Sequence, residues 1–180
     1  TVNAVAGAID LNGTIVDDGA AGTTSALALN TTGATTIDAA IGGAGLAITS
    51  LATNDGGTTA IAADVSTSDT QTYADDTTTT GAPTLTAGGL GITFGNGAVN
   101  SDSLAVNGAT TIVGPLTLNT ATTLGADLVV FAGAGAIDLN GTIDDDPENF
   151  LSWYVDLDKD GHGTTPVGSL GCKAPDKSSA

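Results

Sequence analysis

The nonapeptide GAIDLNGTI at residues 7–15 is the strongest indication of the fold, because the same nine residues recur without a change at residues 135–143. A shorter pattern, apolar-x-apolar-Asn, lies between the two copies at residues 27–30, 104–107 and 116–119. Apolar residues at alternate positions are typical of a strand that buries one side. Asn and Gly at the ends of these units are typical of turns. The repeats therefore predict many short strands joined by turns, with few helices.

The spacing of the repeats favours a solenoid over a sandwich. Leu104, Leu116 and Leu128 begin similar strands at intervals of 12 residues. Hairpins of a β-sandwich would join strands of unrelated sequence. Each coil of a solenoid packs against its neighbours in the same way, so similar residues recur from coil to coil. We expect an all-β parallel β-helix over residues 1–146, with a β-sandwich as the alternative. Coils of about 20 residues would give about seven coils, a rod about 35 Å long.

Five asparagines stand at the ends of these predicted strands. They are Asn12, Asn30, Asn107, Asn119 and Asn140. Asparagines that stack on each other in a cross-β arrangement hydrogen bond through their amides along the axis. We therefore expect these five residues to occupy turns and to form ladders.

Charge excludes several classes of partner. The chain has 20 acidic residues and three basic ones, with a net charge of −17, and Lys159 is the first basic residue. A nucleic-acid-binding surface needs cations that neutralise phosphates, and an anionic membrane attracts only basic segments. No stretch reaches the 18 apolar residues of a membrane span, so we expect no membrane insertion. Divalent cations are the partners that such a surface favours, and salt should affect assembly.

The composition changes after residue 146, so we treat residues 147–180 as a separate tail. Asp156, Asp158 and Asp160 alternate along it and are followed by a glycine, as at the start of a calcium loop. The backbone carbonyl of His162 supplies another oxygen. We expect a short, irregular Ca²⁺-binding segment here.

This calcium loop lacks the closing carboxylate of an EF-hand, because Val167 stands at its twelfth position. Candidates for the remaining ligands are Asp144, Asp145, Asp146 and Glu148, in addition to a second chain. A solvated acidic turn without metal is the alternative. Cys172 is the one cysteine of the chain. It is either inert or a candidate for an intermolecular disulfide with a partner. The chain begins without Met, which we interpret as a processed protein or a fragment.

Two stretches of the chain resemble known families. Residues 51–61, residues 70–73 and residues 116–127 are similar to the repeats of filamentous-haemagglutinin-like bacterial exoproteins, and this resemblance covers roughly residues 23–143. It implies a parallel β-helix at the cell surface that serves in adhesion, biofilm matrix or fibre building. The sequence WYVDLDKDGHG at residues 153–163 resembles the WYxDxDxDGxG metal-binding motif of secreted bacterial proteins, and the match extends to Pro175.

Catalysis is not expected. The chain has no arginine to hold an anionic substrate and no Gly-x-Ser-x-Gly nucleophile motif. Asp75 and Asp76 are adjacent carboxylates, but neighbours on a strand point to opposite faces, so we interpret them as a solvated turn rather than a glycosidase pair. The glycine-rich stretches at residues 42–45 and 88–91 lack the Lys-Ser/Thr of a phosphate-binding loop. We expect them to be coil corners.

These patterns together predict an extracellular structural protein at the cell surface. The nonapeptide lies near both ends of the solenoid, so we expect the last coil to present a surface much like the first. Copies of the chain would then assemble head to tail into a surface filament or a biofilm-matrix fibre stabilised by calcium. The alternative is a rigid stalk segment of a large adhesin that binds a host or surface ligand.

Overall fold

The computed structural model of the chain describes residues 1–19, 25–43, 46–54, 56–97 and 102–145. All the regular elements of these residues are β-strands, and every strand pair is parallel. The strands stack coil upon coil, so the predicted all-β parallel solenoid is confirmed and the β-sandwich is excluded. Contacts along the chain group Thr1–Asp146 into one compact unit. Within the described residues, no helix has the length and hydropathy needed to cross a membrane.

The solenoid has three faces, each built from one strand position of successive coils. Face A contains β1 (Val2–Val5), β3 (Ala26–Thr31), β5 (Ile48–Thr53), β7 (Val65–Tyr73), β10 (Gly91–Phe94), β13 (Leu116–Leu118) and β16 (Ile137–Leu139). Face B contains β2 (Ile9–Leu11), β4 (Ala34–Ile37), β6 (Thr58–Ile61), β8 (Asp76–Thr79), β11 (Ser103–Val106), β14 (Ala121–Leu124) and β17 (Ile143–Asp145). Face C contains β9 (Thr84–Thr86), β12 (Thr110–Val113) and β15 (Leu128–Phe131), extended by the start of β7 and by bridges at Ile41 and Ile15.

The strand register is regular, although the coils differ in length. Asn3 pairs with Asn30, 27 residues further on, whereas Leu51 pairs with Gln71 after only 20 residues. Insertions are therefore absorbed at the corners between faces, and the strands themselves stay aligned. Each described residue on a face consequently belongs to a column of equivalent residues that runs along the axis.

The inner columns form a narrow core. One column of face A carries Leu29, Thr53, Tyr73, Phe94 and Leu118, all buried, and the Tyr73 and Phe94 rings stack with centroids 5.1 Å apart. The corresponding column of face B is rich in threonine. Its members in coil order are Ile9, Thr35, Thr59, Thr77, Leu104, Thr122 and Ile143. β-Branched side chains fit this narrow interior because they pack close to the pleated backbone.

Glycine is required at two corners where backbones meet. A Cβ at Gly42 would lie 2.1 Å from the carbonyl oxygen of Ser66, and φ at Gly42 is +71°. A Cβ at Gly88 would lie 1.9 Å from the carbonyl oxygen of Ser68. Only a residue without a side chain permits these approaches. Both glycines belong to stretches that the sequence predicts to be coil corners, and the structure places them there.

Candidate assembly interface

The first and last coils each leave one strand edge without a partner among the described residues. β1 pairs with β3 alone and β2 with β4 alone, while β16 pairs with β13 alone and β17 with β14 alone. Such edges present backbone N–H and C=O groups that a further parallel strand can hydrogen bond to. The solenoid therefore has two opposite surfaces that are suited to strand addition.

The last coil exposes side chains that occupy core positions. Ile137, Leu139 and Ile143 belong to the inner columns, yet they are 48%, 52% and 44% exposed. The column neighbours of Ile137 and Leu139 one coil earlier, Leu116 and Leu118, are each 1% exposed. The difference arises because no described strand stacks on the outer side of β16 and β17. This end of the solenoid is thus an apolar surface with the shape of a core cross-section.

The first coil is less regular. The register shifts between Asn3 and Val5, and Val5 has a φ of +47°, which is strained for a β-branched residue. The Val5 carbonyl accepts hydrogen bonds from the backbone N–H of Thr32 at 2.9 Å and from its hydroxyl at 3.0 Å. Bulges of this kind blunt an edge strand. At this end, a further parallel strand can therefore pair regularly with Val2, with Asn3 and with the residues of β2.

The two copies of the nonapeptide lie on different faces. In the first copy, Ile9–Leu11 forms β2 on face B, whereas in the second copy Ile137–Leu139 forms β16 on face A. The expectation that the repeat gives both ends the same surface is therefore wrong. The reason is that every face needs the same inward-outward-inward pattern, so identical residues fit any face. The columns instead relate the two ends through other residues.

Three pairs of residues share a column although they lie at opposite ends. On face A the column of Val2 ends at Leu139, and the next column, that of Asn3, ends at Asn140. On face B the column of Ile9 ends at Ile143. A second solenoid that continued the same register would consequently bring apolar residue to apolar residue and asparagine to asparagine.

The asparagine column of face A contains two hydrogen-bonded pairs. The Asn30 side chain donates to the Oδ1 atom of Asn3 at 2.9 Å, and the Asn140 side chain donates to that of Asn119 at 3.0 Å. Between them the column passes through Asn54, whose Oδ1 accepts the backbone N–H of Thr31 at 2.6 Å. The amide ladder therefore runs at both ends of the column.

The five asparagines singled out in the sequence do not form a single stack. Asn12 and Asn107 follow strands of face B, so neither joins the column of face A. Three coils lie between these two residues, so they do not stack on each other either. Sequence reasoning also missed Asn3 and Asn54. Only two residues of the sequence precede Asn3, so the first apolar position of the apolar-x-apolar-Asn pattern is missing there. At Asn54 the preceding residue is a threonine instead of an apolar residue. A search that allowed threonine at inward positions would have found Asn54.

Most of the predicted metal ligands lie outside the described residues. These are Asp146, Glu148, Asp156, Asp158, Asp160 and His162, together with Cys172. Asp144 and Asp145 lie in β17. The described part of the chain has no group of three or more His, Cys, Asp or Glu side chains arranged to hold a metal ion. The calcium loop therefore stays a prediction from the sequence.

Asp75 is a buried carboxylate that the sequence did not reveal. Its side chain is 1% exposed and accepts hydrogen bonds from the hydroxyls of Thr53 and Thr59, the latter at 3.1 Å. Asp76 points outward, as alternation requires, and accepts the Ser103 backbone N–H at 2.8 Å. The interpretation of both residues as a solvated turn is therefore wrong for Asp75. Its buried partners both lie in the preceding coil, 22 and 16 residues away, where local sequence gives no signal.

Burial raises the pKa of the Asp75 carboxyl, and the hydroxyls of Thr53 and Thr59 only partly oppose the shift. A pKa that is higher in the folded state means that stability from this group is fully present at low pH and is lost as pH rises through the folded-state pKa. We expect Asp75→Asn to raise the free energy of unfolding at pH 7 by about 1 kcal/mol or more, because it removes a buried charge without a counterion.

The measurement is urea unfolding, followed by circular dichroism, at pH 4 and pH 7. The gain from Asp75→Asn should shrink at the lower pH. The matched control is Asp76→Asn, which removes an exposed charge one residue away and should change stability little at either pH. A loss of stability at pH 7 in Asp75→Asn would show that the ionised carboxylate is needed inside the solenoid.

Comparison of the chain with protein-family models, with curated proteins and with solved structures finds no match in any of the three. The resemblances of residues 23–143 and of residues 153–175 to secreted bacterial proteins thus stay predictions from the sequence. Among the described residues, the two end coils are the surfaces with the clearest chemistry.

Proposed function

We propose that the chain is a structural subunit of an extracellular filament or biofilm-matrix fibre, in which copies stack head to tail. The last coil of one copy meets the first coil of the next, so that the sheets of faces A and B continue across the joint. The contact joins two different surfaces and leaves both far ends free for further copies, which gives a fibre rather than a closed ring. No catalytic role is assigned to the chain.

The observation that carries the proposal is the column match between the two end coils. Leu139 of one copy would meet Val2 of the next, and Ile143 would meet Ile9. Full burial of an aliphatic side chain is favourable by about 1.5–3 kcal/mol, so covering the exposed apolar residues of the last coil is a substantial driving force.

Polar groups are matched at the same joint. Asn140 would meet Asn3, and the two existing amide pairs would become a ladder of four asparagines from Asn119 to Asn30. The strand edges of β16 and β17 would hydrogen bond to those of β1 and β2, as in β-strand addition. The backbone groups at both edges would thus gain partners, and the register would be fixed by side chains that differ between successive columns.

Electron microscopy of the purified 180-residue chain, together with sedimentation, tests the proposal. Head-to-tail assembly predicts long, unbranched threads with the width of one solenoid and a pelleted fraction that grows with concentration. Short isolated rods of about 35 Å at every concentration and ionic condition would contradict it. Such rods would instead favour the alternative, a rigid stalk of an adhesin that binds a host or surface ligand.

We also propose that the tail binds Ca²⁺ through Asp156, Asp158 and Asp160, with the His162 backbone carbonyl as a further ligand. Trp153, the one tryptophan of the chain, stands three residues before the first of these carboxylates. We expect Ca²⁺ to change its fluorescence, with a dissociation constant of about 10⁻⁴–10⁻³ M, as is usual for extracellular calcium modules. EDTA should reverse the change.

The control for the calcium titration is Asp158→Ala combined with Asp160→Ala, which removes two oxygen ligands and leaves Trp153 in place. This variant should lose the fluorescence change. A response that is equal in the parent and in the variant, or that is absent in millimolar Ca²⁺, would contradict the calcium loop.

A further inference from the structure

The outward column of face B is charged at its two ends and neutral between them. It begins at Asp10 in β2 and ends at Asp144 in β17. The intervening residues are neutral and small: Thr36, Ala60, Thr78, Ala105 and Thr123. The same register that joins Ile143 to Ile9 in the proposed fibre would place Asp144 of one copy directly opposite Asp10 of the next.

Like charges directly opposite each other on neighbouring strands destabilise the pairing. Adjacent strands lie about 4.8 Å apart, a distance at which salt in water screens two charges only in part. Residues 1–145 contain no Lys, Arg or His that could neutralise the pair. The strands packed against the two carboxylates face them with Thr36 and Thr123, which carry no charge. Another carboxylate of the last coil, that of Asp138, lies on face A, where its column neighbour in β13 is the uncharged Thr117.

We propose that Asp10 and Asp144 form an electrostatic gate on the head-to-tail joint. This inference rests on the proposed function and names its regulation. At neutral pH and low ionic strength the two carboxylates repel and hold the copies apart. Added salt weakens the repulsion and removal of either charge abolishes it, so the apolar contacts and the asparagine ladder then join the copies. The neutral interior of the column means that the gate acts at the joint and leaves the coils within one copy unaffected.

The test is the critical concentration for thread formation, measured by sedimentation of the full chain at pH 7 in low salt and with added salt. In low salt, the double variant Asp10→Asn with Asp144→Asn should assemble at a critical concentration at least about tenfold below that of the parent, because it lacks the Coulomb repulsion of two close charges. Added salt should lower the critical concentration of the parent and change that of the double variant less.

A matched control separates the gate from the net charge of the chain. The double variant Asp38→Asn with Asp69→Asn also removes two charges, but Asp38 follows β4 and Asp69 lies in β7, and both strands have partners on each side. It should keep the critical concentration and the salt response of the parent.

Three outcomes would count against the gate. Equal assembly of the parent and the Asp10/Asp144 variant at pH 7 would overturn the gate while threads still support the fibre. The gate is also overturned if the control assembles as readily as the Asp10/Asp144 variant. Threads from none of the proteins under any condition would overturn the fibre and the gate together.

Discussion

Replacement of Phe94 by alanine is expected to destabilise the solenoid by about 3–5 kcal/mol. The Phe94 side chain is 1% exposed and stacks on Tyr73 with an angle of 18° between the rings. Its column neighbour on the other side is Leu118. The substitution removes these contacts and leaves a cavity that the surrounding coils, held by their strand pairs, can fill only in part. This loss is a large part of the roughly 5–15 kcal/mol that stabilises a typical domain.

Position in the stack gives the substitution a second expected effect. In a solenoid each coil contacts only its neighbours, so a break at β10 weakens the coupling between the coils on either side. We expect the urea transition of Phe94→Ala to shift to lower urea and to broaden or split, as followed by circular dichroism. The control is Thr93→Ala, which changes the outward residue of the same strand and should cost less than about 1 kcal/mol. Equal effects of the two substitutions would show that the column of Phe94 is not the core.

The solenoid itself could be predicted from the sequence. Strands such as Leu116–Leu118 show the alternation in three residues, and their recurrence at short intervals favours stacked coils over hairpins. In the described residues, faces A and B each contain a path of seven parallel strands, so the recurring units stack as this reasoning expects. The solenoid is predictable because the sequence repeats: recurring residues indicate that the same packing recurs in each coil.

The repeats do not indicate which face of the solenoid a given repeat unit occupies. The residues of the nonapeptide satisfy the inward-outward-inward pattern on face B as Ile9–Leu11 and on face A as Ile137–Leu139. The face depends on the number of corner residues that precede each unit, and these numbers vary from coil to coil. The match between the end coils therefore became visible only once the register was known.

The buried polar residues were hidden from the sequence for a different reason. Asp75 accepts hydrogen bonds from Thr53 and Thr59, which lie in the preceding coil, and composition alone assigns an acidic pair to the surface. Gln71 is likewise buried, where it donates to the backbone carbonyl of Thr86 at 2.8 Å. Polar groups of this kind are tolerated inside because their hydrogen bonds are satisfied by neighbours that only the folded coils bring together.

Cysteines placed at the joint are expected to link copies of the chain covalently. The joint variant combines Asn3→Cys with Asn140→Cys, and Cys172→Ser in the same chain removes the one natural thiol. Its two thiols in one copy lie at opposite ends of a seven-strand column, about 29 Å apart at the usual strand spacing, and cannot join. In the proposed fibre, the thiol at position 140 of one copy would stand beside that at position 3 of the next. Their backbones would then be about 4.8 Å apart, which is within the range of a disulfide.

The control, called the offset variant, places the second cysteine one coil inward in the same Cys172→Ser background. Asn119 belongs to the same column as Asn140. The offset variant, Asn3→Cys combined with Asn119→Cys, therefore differs from the joint variant only in the position of the second cysteine, which moves by one strand spacing. Across the joint its thiols would lie two strand spacings apart, about 9.6 Å, which is too far for a disulfide without movement of the backbone.

The most direct measurement of head-to-tail stacking in register is a non-reducing gel of these two proteins after mild oxidation under conditions that favour assembly. Stacking predicts a regular ladder of dimers, trimers and longer species for the joint variant, which collapses to monomer on reduction, and predominantly monomer for the offset variant. Monomer alone from the joint variant, or ladders of equal intensity from both proteins, would contradict the account.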